Sequence, residues 1–207
     1  MGKSIVMGIT TIILLISLLL SGLIVASVIT NESSQTDIKE DYMQMVDEII
    51  DKTSTYIQIL EQKGKYNEIN QERKIDKVIL YISPLITQNI DVSQLTIQLN
   101  NGDTIRFLRY LGDVKNLGTF SIFSHPIWES LDGNNFGFIS VIDLDESLIN
   151  GNILNDYSDH AYIVIKLPDD MAIAKNEQLI VTLFPSTGIT RTIILEAPFS
   201  TRSIVDF

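Results

Sequence analysis

The sequence predicts an α+β chain: a long hydrophobic N-terminal α-helix within residues 1–64, then an antiparallel β-sandwich head over 65–207. Three observations predict it. Ile5–Ile29 carries neither charge nor proline. Apolar residues then recur at three- and four-residue steps as far as Leu60, which draws one helical stripe. After Gly64 the period falls to two, the spacing of half-buried strands.

The first run, IVMGITTIILLISLLLSGLIVASVI, is about 25 residues long. At roughly 1.5 Å per residue it outspans a hydrocarbon core of about 30 Å. Its Leu, Ile and Val residues favour insertion even against the cost of Thr10, Thr11, Ser17 and Ser21. A helix apolar all round must be buried in lipid or in something equally dry. Three fates fit. Val25-Ala26-Ser27 offers a small-residue cleavage site for a signal peptide, although the run exceeds the usual apolar stretch of about 7–15 residues and only Lys3 precedes it. It can be a single-span anchor. Or it can pack against copies of itself in a filament core. Lys3 before the run and Glu32, Asp37, Glu40 and Asp41 after it place the N-terminus in the cytoplasm and the rest outside.

Thr30–Thr36 is polar and a poor helix former, so a kink or short break is expected there. It holds the chain's one sequon, Asn31-Glu32-Ser33, which makes Asn31 the candidate glycosylation site just outside the membrane. From Asp37 to Gln62 the stripe runs through Ile38, Tyr42, Met45, Val46, Ile49, Ile50, Tyr56, Ile57 and Leu60. Asp37, Glu40 and Asp41 favour its N-terminal dipole, and Gly64 is expected to end it. No Gly or Pro stands between Gly22 and Gly64, so both stretches can form one rod of about 85–90 Å. Its stripe needs burial against the head or a neighbour's helix.

In the head, Val78–Ile82 is β-rich and stops at Pro84. Leu95, Ile97 and Leu99 alternate with Thr96 and Gln98, and Asn100-Asn101-Gly102-Asp103 turns the chain into Thr104–Tyr110. Further strands are expected at Thr119–Phe123, Phe136–Ile142, Ala161–Leu167, Leu179–Phe184 and Thr190–Glu196. Asp132-Gly133-Asn134-Asn135 and Pro185-Ser186-Thr187-Gly188 are turns. Short strands with no helical pattern between them predict a sandwich.

A net charge of -11 argues against nucleic acid and against docking on anionic lipid by charge. The absence of cysteine excludes disulfides, thiolate zinc sites and cysteine nucleophiles. His125 and His160 are the only histidines; His125 reads as a loop residue beside a core anchor, Trp128. No nucleophile elbow, phosphate loop, dinucleotide fingerprint or zinc-protease spacing occurs, so no enzyme activity or catalytic residue is assigned. The metal candidates are Asp143, Asp145 and Glu146, followed by Asp156 and Asp159. An oxygen-rich loop can hold a structural calcium ion, though the EF-hand order is absent and a run of acids also reads as a solvated face.

Together these parts resemble the archaeal flagellins (archaellins), filament subunits similar to type IV pilins. Phe136-Gly137-Phe138-Ile139 leading to Asp143-Leu144-Asp145-Glu146-Ser147-Leu148 looks like the family's acidic mid-domain segment. Leu183-Phe184-Pro185-Ser186-Thr187-Gly188, Thr192-Ile193-Ile194-Leu195, Ala197-Pro198 and Ile204-Val205-Asp206-Phe207 look like its closing hairpin and last strand. The resemblance implies a membrane-inserted precursor that assembles with copies of itself or paralogous subunits into an extracellular motility filament. The core would then take Ile5, Ile9, Ile12, Leu15, Ile16, Leu19, Leu23 and Val28, with Gly8, Thr10, Ser17, Ser21 and Gly22 allowing close approach. Such contacts are heterologous and open, which yields a helical polymer. Family precursors end a basic leader in Lys-Gly or Arg-Gly, whereas this chain opens Met1-Gly2-Lys3-Ser4. The expected processing site is therefore missing or displaced: either part of a leader is lacking, or cleavage falls just after Gly2. That departure keeps open a membrane-anchored accessory (stator or envelope-binding) protein of the same motor, or an anchored adhesin.

Overall fold

The structure, a computed structural model, describes Met45 and residues 56–87, 89–186 and 189–207. The chain divides into two compact units, Met1–Ile49 and Ile50–Phe207. The expected long helix, its core positions from Ile5 to Val28 and the sequon at Asn31 lie outside the described residues.

The stripe's last stretch is not helical. Ile57–Ile69 forms strand β1, paired antiparallel along its length with β2, Glu72–Pro84. The boundary expected at Gly64 therefore falls inside a strand, and the head begins near residue 50. Ile57 and Leu60 stand at helical spacing in the sequence, but three residues along a strand carries them to opposite faces, and the register also shifts between Ile59 and Glu61. At that bulge Leu60 is turned out to solvent while Ile57 stays buried, so the two share no apolar face.

The β1–β2 hairpin closes through Asn70 and Gln71, both left-handed at φ 52° and 67°, between the paired Ile69 and Glu72. Two positive φ values make the mirror-image turn that matches strand twist. Asparagine tolerates that region, but glutamine is strained there by about 1–2 kcal/mol. Gln71→Gly is expected to raise head stability by about 0.5–1 kcal/mol once glycine's greater unfolded-state freedom is subtracted. A higher Tm checks it.

The chain continues through β3 (Ile90–Asp91), a 3-10 turn (Val92–Gln94), β4 (Thr96–Asn100) and β5 (Ile105–Asn116). After a second 3-10 turn (Ile122–Ser124) come α1 (Ile127–Ser130), β6 (Asn135–Ile142), α2 (Ser147–Gly151) and β7 (Ile153–Leu154). Strands β8 (His160–Lys166), β9 (Gln178–Phe184), β10 (Arg191–Glu196) and β11 (Ile204–Asp206) complete it. Nine of these strands form one sheet, ordered β10-β9-β4-β5-β6-β8-β2-β1-β11; β3 and β7 pair separately.

The expected sandwich of antiparallel sheets is thus a single curled sheet with one parallel pair. Strand β5 causes both departures. Its first part, Ile105–Leu108, pairs with β4, and its second part, from Arg109, pairs parallel with β6. The change of partner coincides with a register break between Tyr110 and Val114 that contains Gly112 at φ +100°. Parallel neighbours need a long crossover, and residues 117–134 supply it. Thr119–Phe123, expected as a strand, belongs to this crossover: both edges of β5 and β6 are already paired, so it turns and lays Phe123 and Trp128 onto the sheet.

Two cores result. The concave side gathers Val78, Leu80 and Ile82 of β2 with Phe136 and Phe138 of β6, Ile97 and Leu99 of β4, and Val181 and Leu183 of β9. The opposite side of β2, β6 and β8 packs Ile79, Ile139 and Val164 under Phe123, Ile127, Trp128 and Leu131. Burial on both faces explains why Val78–Ile82 reads as an unbroken apolar run.

Candidate functional site

The acidic segment leaves β6 at Ile142 and returns to the sheet at His160. Asp143 caps α2: its carboxylate accepts from the backbone N–H groups of Leu148 (3.4 Å) and Ile149 (3.0 Å). Asp145 accepts from Ser147 N–H at 3.0 Å and from the Asn155 side-chain amide at 2.8 Å. Asp159 is only 1% exposed. One of its oxygens accepts from the backbone N–H groups of both Asn155 and Asp156, each at 3.0 Å. These bonds fold 143–159 into a tight excursion pinned by Ser147 Oγ donating to Ile153 O at 2.9 Å.

The excursion gathers Asp143, Asp145 and Asp159, with an oxygen from each within 4.8 Å of the others. Glu146 does not join them. Its backbone is left-handed, φ 58°, and its carboxylate accepts from the Asn150 side chain at 3.0 Å. Asp159 takes its place among the gathered acids, brought across the β7 return; Asp156 instead accepts from Ser158 N–H. Asn155 is the residue that sequence reasoning missed. Its amide braces Asp145, while its own Oδ1 is a buried acceptor without a partner among the described residues. The Asn-Asp pair at 155–156, three residues before Asp159, was the available signal.

The electrostatics divide the acids. The hydrogen bond from Asn155, then those from Ser147, hold Asp145 down to about 2. Burial pushes Asp159 up, against its two backbone N–H partners, and the nearby charges of Asp143 and Asp145 push it further. Calcium binds six to eight oxygens at about 2.3–2.6 Å, so two ligand oxygens lie at most about 5 Å apart. The three carboxylates meet that limit, and an all-oxygen set suits a hard cation rather than zinc.

The histidines have packing roles. His125 Nδ1 accepts from Ile127 N–H at 3.1 Å, so Nε2 carries the proton toward Asn116 O, also at 3.1 Å. Trp128 is buried beside it, donating from Nε1 to Ile122 O at 2.8 Å, as expected of a core anchor. His160 stacks on Tyr81 with ring centroids 5.3 Å apart. Neither ring pairs with a serine hydroxyl among the described residues.

A curled sheet with a parallel β5–β6 pair and an acidic excursion between β6 and β8 can be compared with known proteins. The structure is similar to the crystal structure of archaeal flagellin FlaB1 from Methanocaldococcus jannaschii, with a TM-score of 0.63 and 21% identity over 72% of this chain and 94% of that one. It is also similar in fold to a subunit of the archaeal flagellum of Methanospirillum hungatei strain JF1, with a TM-score of 0.53 and 9% identity over 97% and 99% of the two chains. In sequence the chain is 27% identical to Flagellin B3 of Methanocaldococcus jannaschii over 92% of its own length and 89% of that protein's. Flagellin B2 of the same organism is 26% identical over 100% and 89%. The profile of the archaeal-type flagellin family matches residues 6–195, which takes in both the charge-free N-terminal run and all of the head as far as β10. On that match the chain belongs to the archaeal-type flagellin family.

Proposed function

We propose that this chain is a structural subunit that polymerises with copies of itself or paralogous subunits into an extracellular archaeal motility filament. The observation that carries the proposal is a single family match over residues 6–195, from within the charge-free run at Ile5–Ile29 into β10 of the head. A segment so apolar leaves lipid only for another dry environment, and a bundle of the same segment from neighbouring subunits is one. The helical form of residues 5–29, its place in the filament core and the use of Asn31 as a glycan site are parts of the same proposal. Shearing native cells, pelleting the filaments and reading this chain's N-terminal peptide by mass spectrometry tests it. Recovery as a principal pelleted species is expected, with the first residue giving the cleavage point. Retention in the membrane fraction would overturn it in favour of an anchored accessory protein.

We propose further that Asp143, Asp145 and Asp159 hold a structural calcium ion. The gathering of three carboxylates, one of them pushed up by burial and to a lesser degree by the other two, supports the reading. A bound cation would offset that repulsion. At ten times its Kd, calcium is expected to stabilise the head by about 1.4 kcal/mol, raising Tm by about 3–5 °C. Asp159→Asn should abolish the shift. The pH dependence has a definite sign. Asp145, held below its ordinary 3.8, contributes stability that is present above pH 4 and lost as pH falls toward 2. Asp159, pushed up, contributes stability below its ordinary range that is lost as pH rises through its folded value. Calcium should therefore stabilise most at neutral pH and least in acid. An unchanged Tm at neutral pH in saturating calcium would sink the site.

A further inference from the structure

The register of the sheet places an uncharged surface on the convex side of β4, β5, β9 and β10. In these strands Ile97, Leu99, Leu108, Val181, Leu183, Ile193 and Leu195 turn inward to the core, so the alternate positions turn outward. Cross-strand pairing aligns the outward residues in two rows. One runs Phe107, Gln98, Thr182, Thr192; the other runs Ile105, Asn100, Ile180, Ile194. No charge interrupts either row. Phe107, Ile194 and Ile105 are 61%, 60% and 56% exposed. Thr182 Oγ1 and Thr192 Oγ1 lie 3.2 Å apart and partly satisfy each other. The nearest charges on that face, Arg109 and Glu196, stand at its corners.

The contrast within the same sheet decides between a solvated and a covered face. At the far end, β1 and β2 carry nine charged residues between Glu61 and Lys77. In a chain of net charge -11, a face left to water would be expected to resemble that hairpin. The exposed Phe107, Ile105 and Ile194 lie on the flanking strands β5 and β10, with Gln98, Asn100 and Ile180 half-buried and Thr182 buried between them. An uncharged patch that exposes Phe and Ile has the composition of an interface core, and charged corners that of its rim. Four strands about 4.8 Å apart and about five residues long give a face on the order of 300 Å². A stable contact buries about 800 Å² per partner, so this face is one contact among several that a subunit makes.

We propose that this face packs against a second copy of the chain in the assembled filament; the inference rests on the filament reading above. The occupant follows from that reading: a polymer gives every head permanent neighbours at high local concentration. The contact is heterologous, so the face meets a different surface of the neighbouring copy. The chain's lack of cysteine makes the test clean. The full chain carrying Phe107→Cys would be labelled with a maleimide in sheared filaments and in detergent-detached subunits. Labelling about tenfold or more slower in filaments is expected, as for a packed interface. Phe107→Asp combined with Ile194→Asp should prevent filament recovery while the detached subunit keeps the wild-type Tm. Equal labelling in both states would overturn the proposal while leaving the filament reading intact. Equally slow labelling in both would do the same, by showing a cover already present on the single subunit. Absence of the chain from the filaments would overturn both readings.

Discussion

Leu15→Asp is expected to abolish filaments while leaving the head folded. Leu15 stands near the middle of the charge-free run. An aspartate at the centre of a bilayer costs about 2.5–3.5 kcal/mol even when the alternative is lipid. In a bundle of identical segments the cost recurs in every subunit, so a penalty that one chain could absorb becomes prohibitive for the polymer. The head has its own core and is a separate compact unit, so its Tm should not move. The measurement is paired: filament yield after shearing, and thermal unfolding of detergent-extracted subunit. Filaments of normal length and yield would remove Ile5–Ile29 from the proposed core. Loss of both filaments and head Tm would instead mean that the segment contributes to head folding.

The strands most legible in the sequence are those with one face buried and one exposed. Ile97 and Leu99 of β4 alternate with Thr96, Gln98 and Asn100, and the turn at Asn100–Asp103 fixes the register of β5. Phe136–Ile142, Ala161–Leu167, Leu179–Phe184 and Thr190–Glu196 were placed within one or two residues of the observed strands. The errors have local causes. The three-residue step from Ile57 to Leu60 reads as a helix face, yet in β1 it carries the two to opposite sides of the strand, and nothing in a single strand's pattern marks the bulge beside them. The sheet's curl and its one parallel pair depend on which strand β5 meets after Gly112, a choice made by long-range pairing. At the acidic site Asp143 and Asp145 were legible as neighbours in sequence. Asp159 and Asn155 reach them only because β7 folds the chain back, and Glu146 turns away because its own backbone is left-handed. The uncharged face needed the register of four strands before its residues could be seen as adjacent.

Gly64→Val is expected to destabilise the head by about 3 kcal/mol and to release β11. Gly64 is paired with Val78 of β2 on one side and with Val205 of β11 on the other. A Cβ there would stand 2.7 Å from Phe207 Cζ and 2.8 Å from Ile75 Cγ2. Both contacts are too short to survive, and the two neighbours differ in how they can respond. Ile75 is fully buried and bonded through its backbone to Ile173, so it cannot retreat. Phe207 is half-buried and lies beyond the last paired residue of β11, so its ring must swing out. Overpacking costs about 1–3 kcal/mol, and the lost packing of Phe207 adds to it. Strand β11 has only three paired residues, 204–206, so it should lose its hold when Phe207 leaves. Faster hydrogen exchange at 204–207 than at β8 would show that the damage is directed there, with a lowered Tm giving its size. The bulk added at Gly64 and the ring removed at Phe207 are coupled, so Phe207→Ala should recover part of the loss in Gly64→Ala. Independent, additive effects would mean that glycine is required at 64 by Ile75 alone, and that Phe207 is not what the strand was shaped to receive.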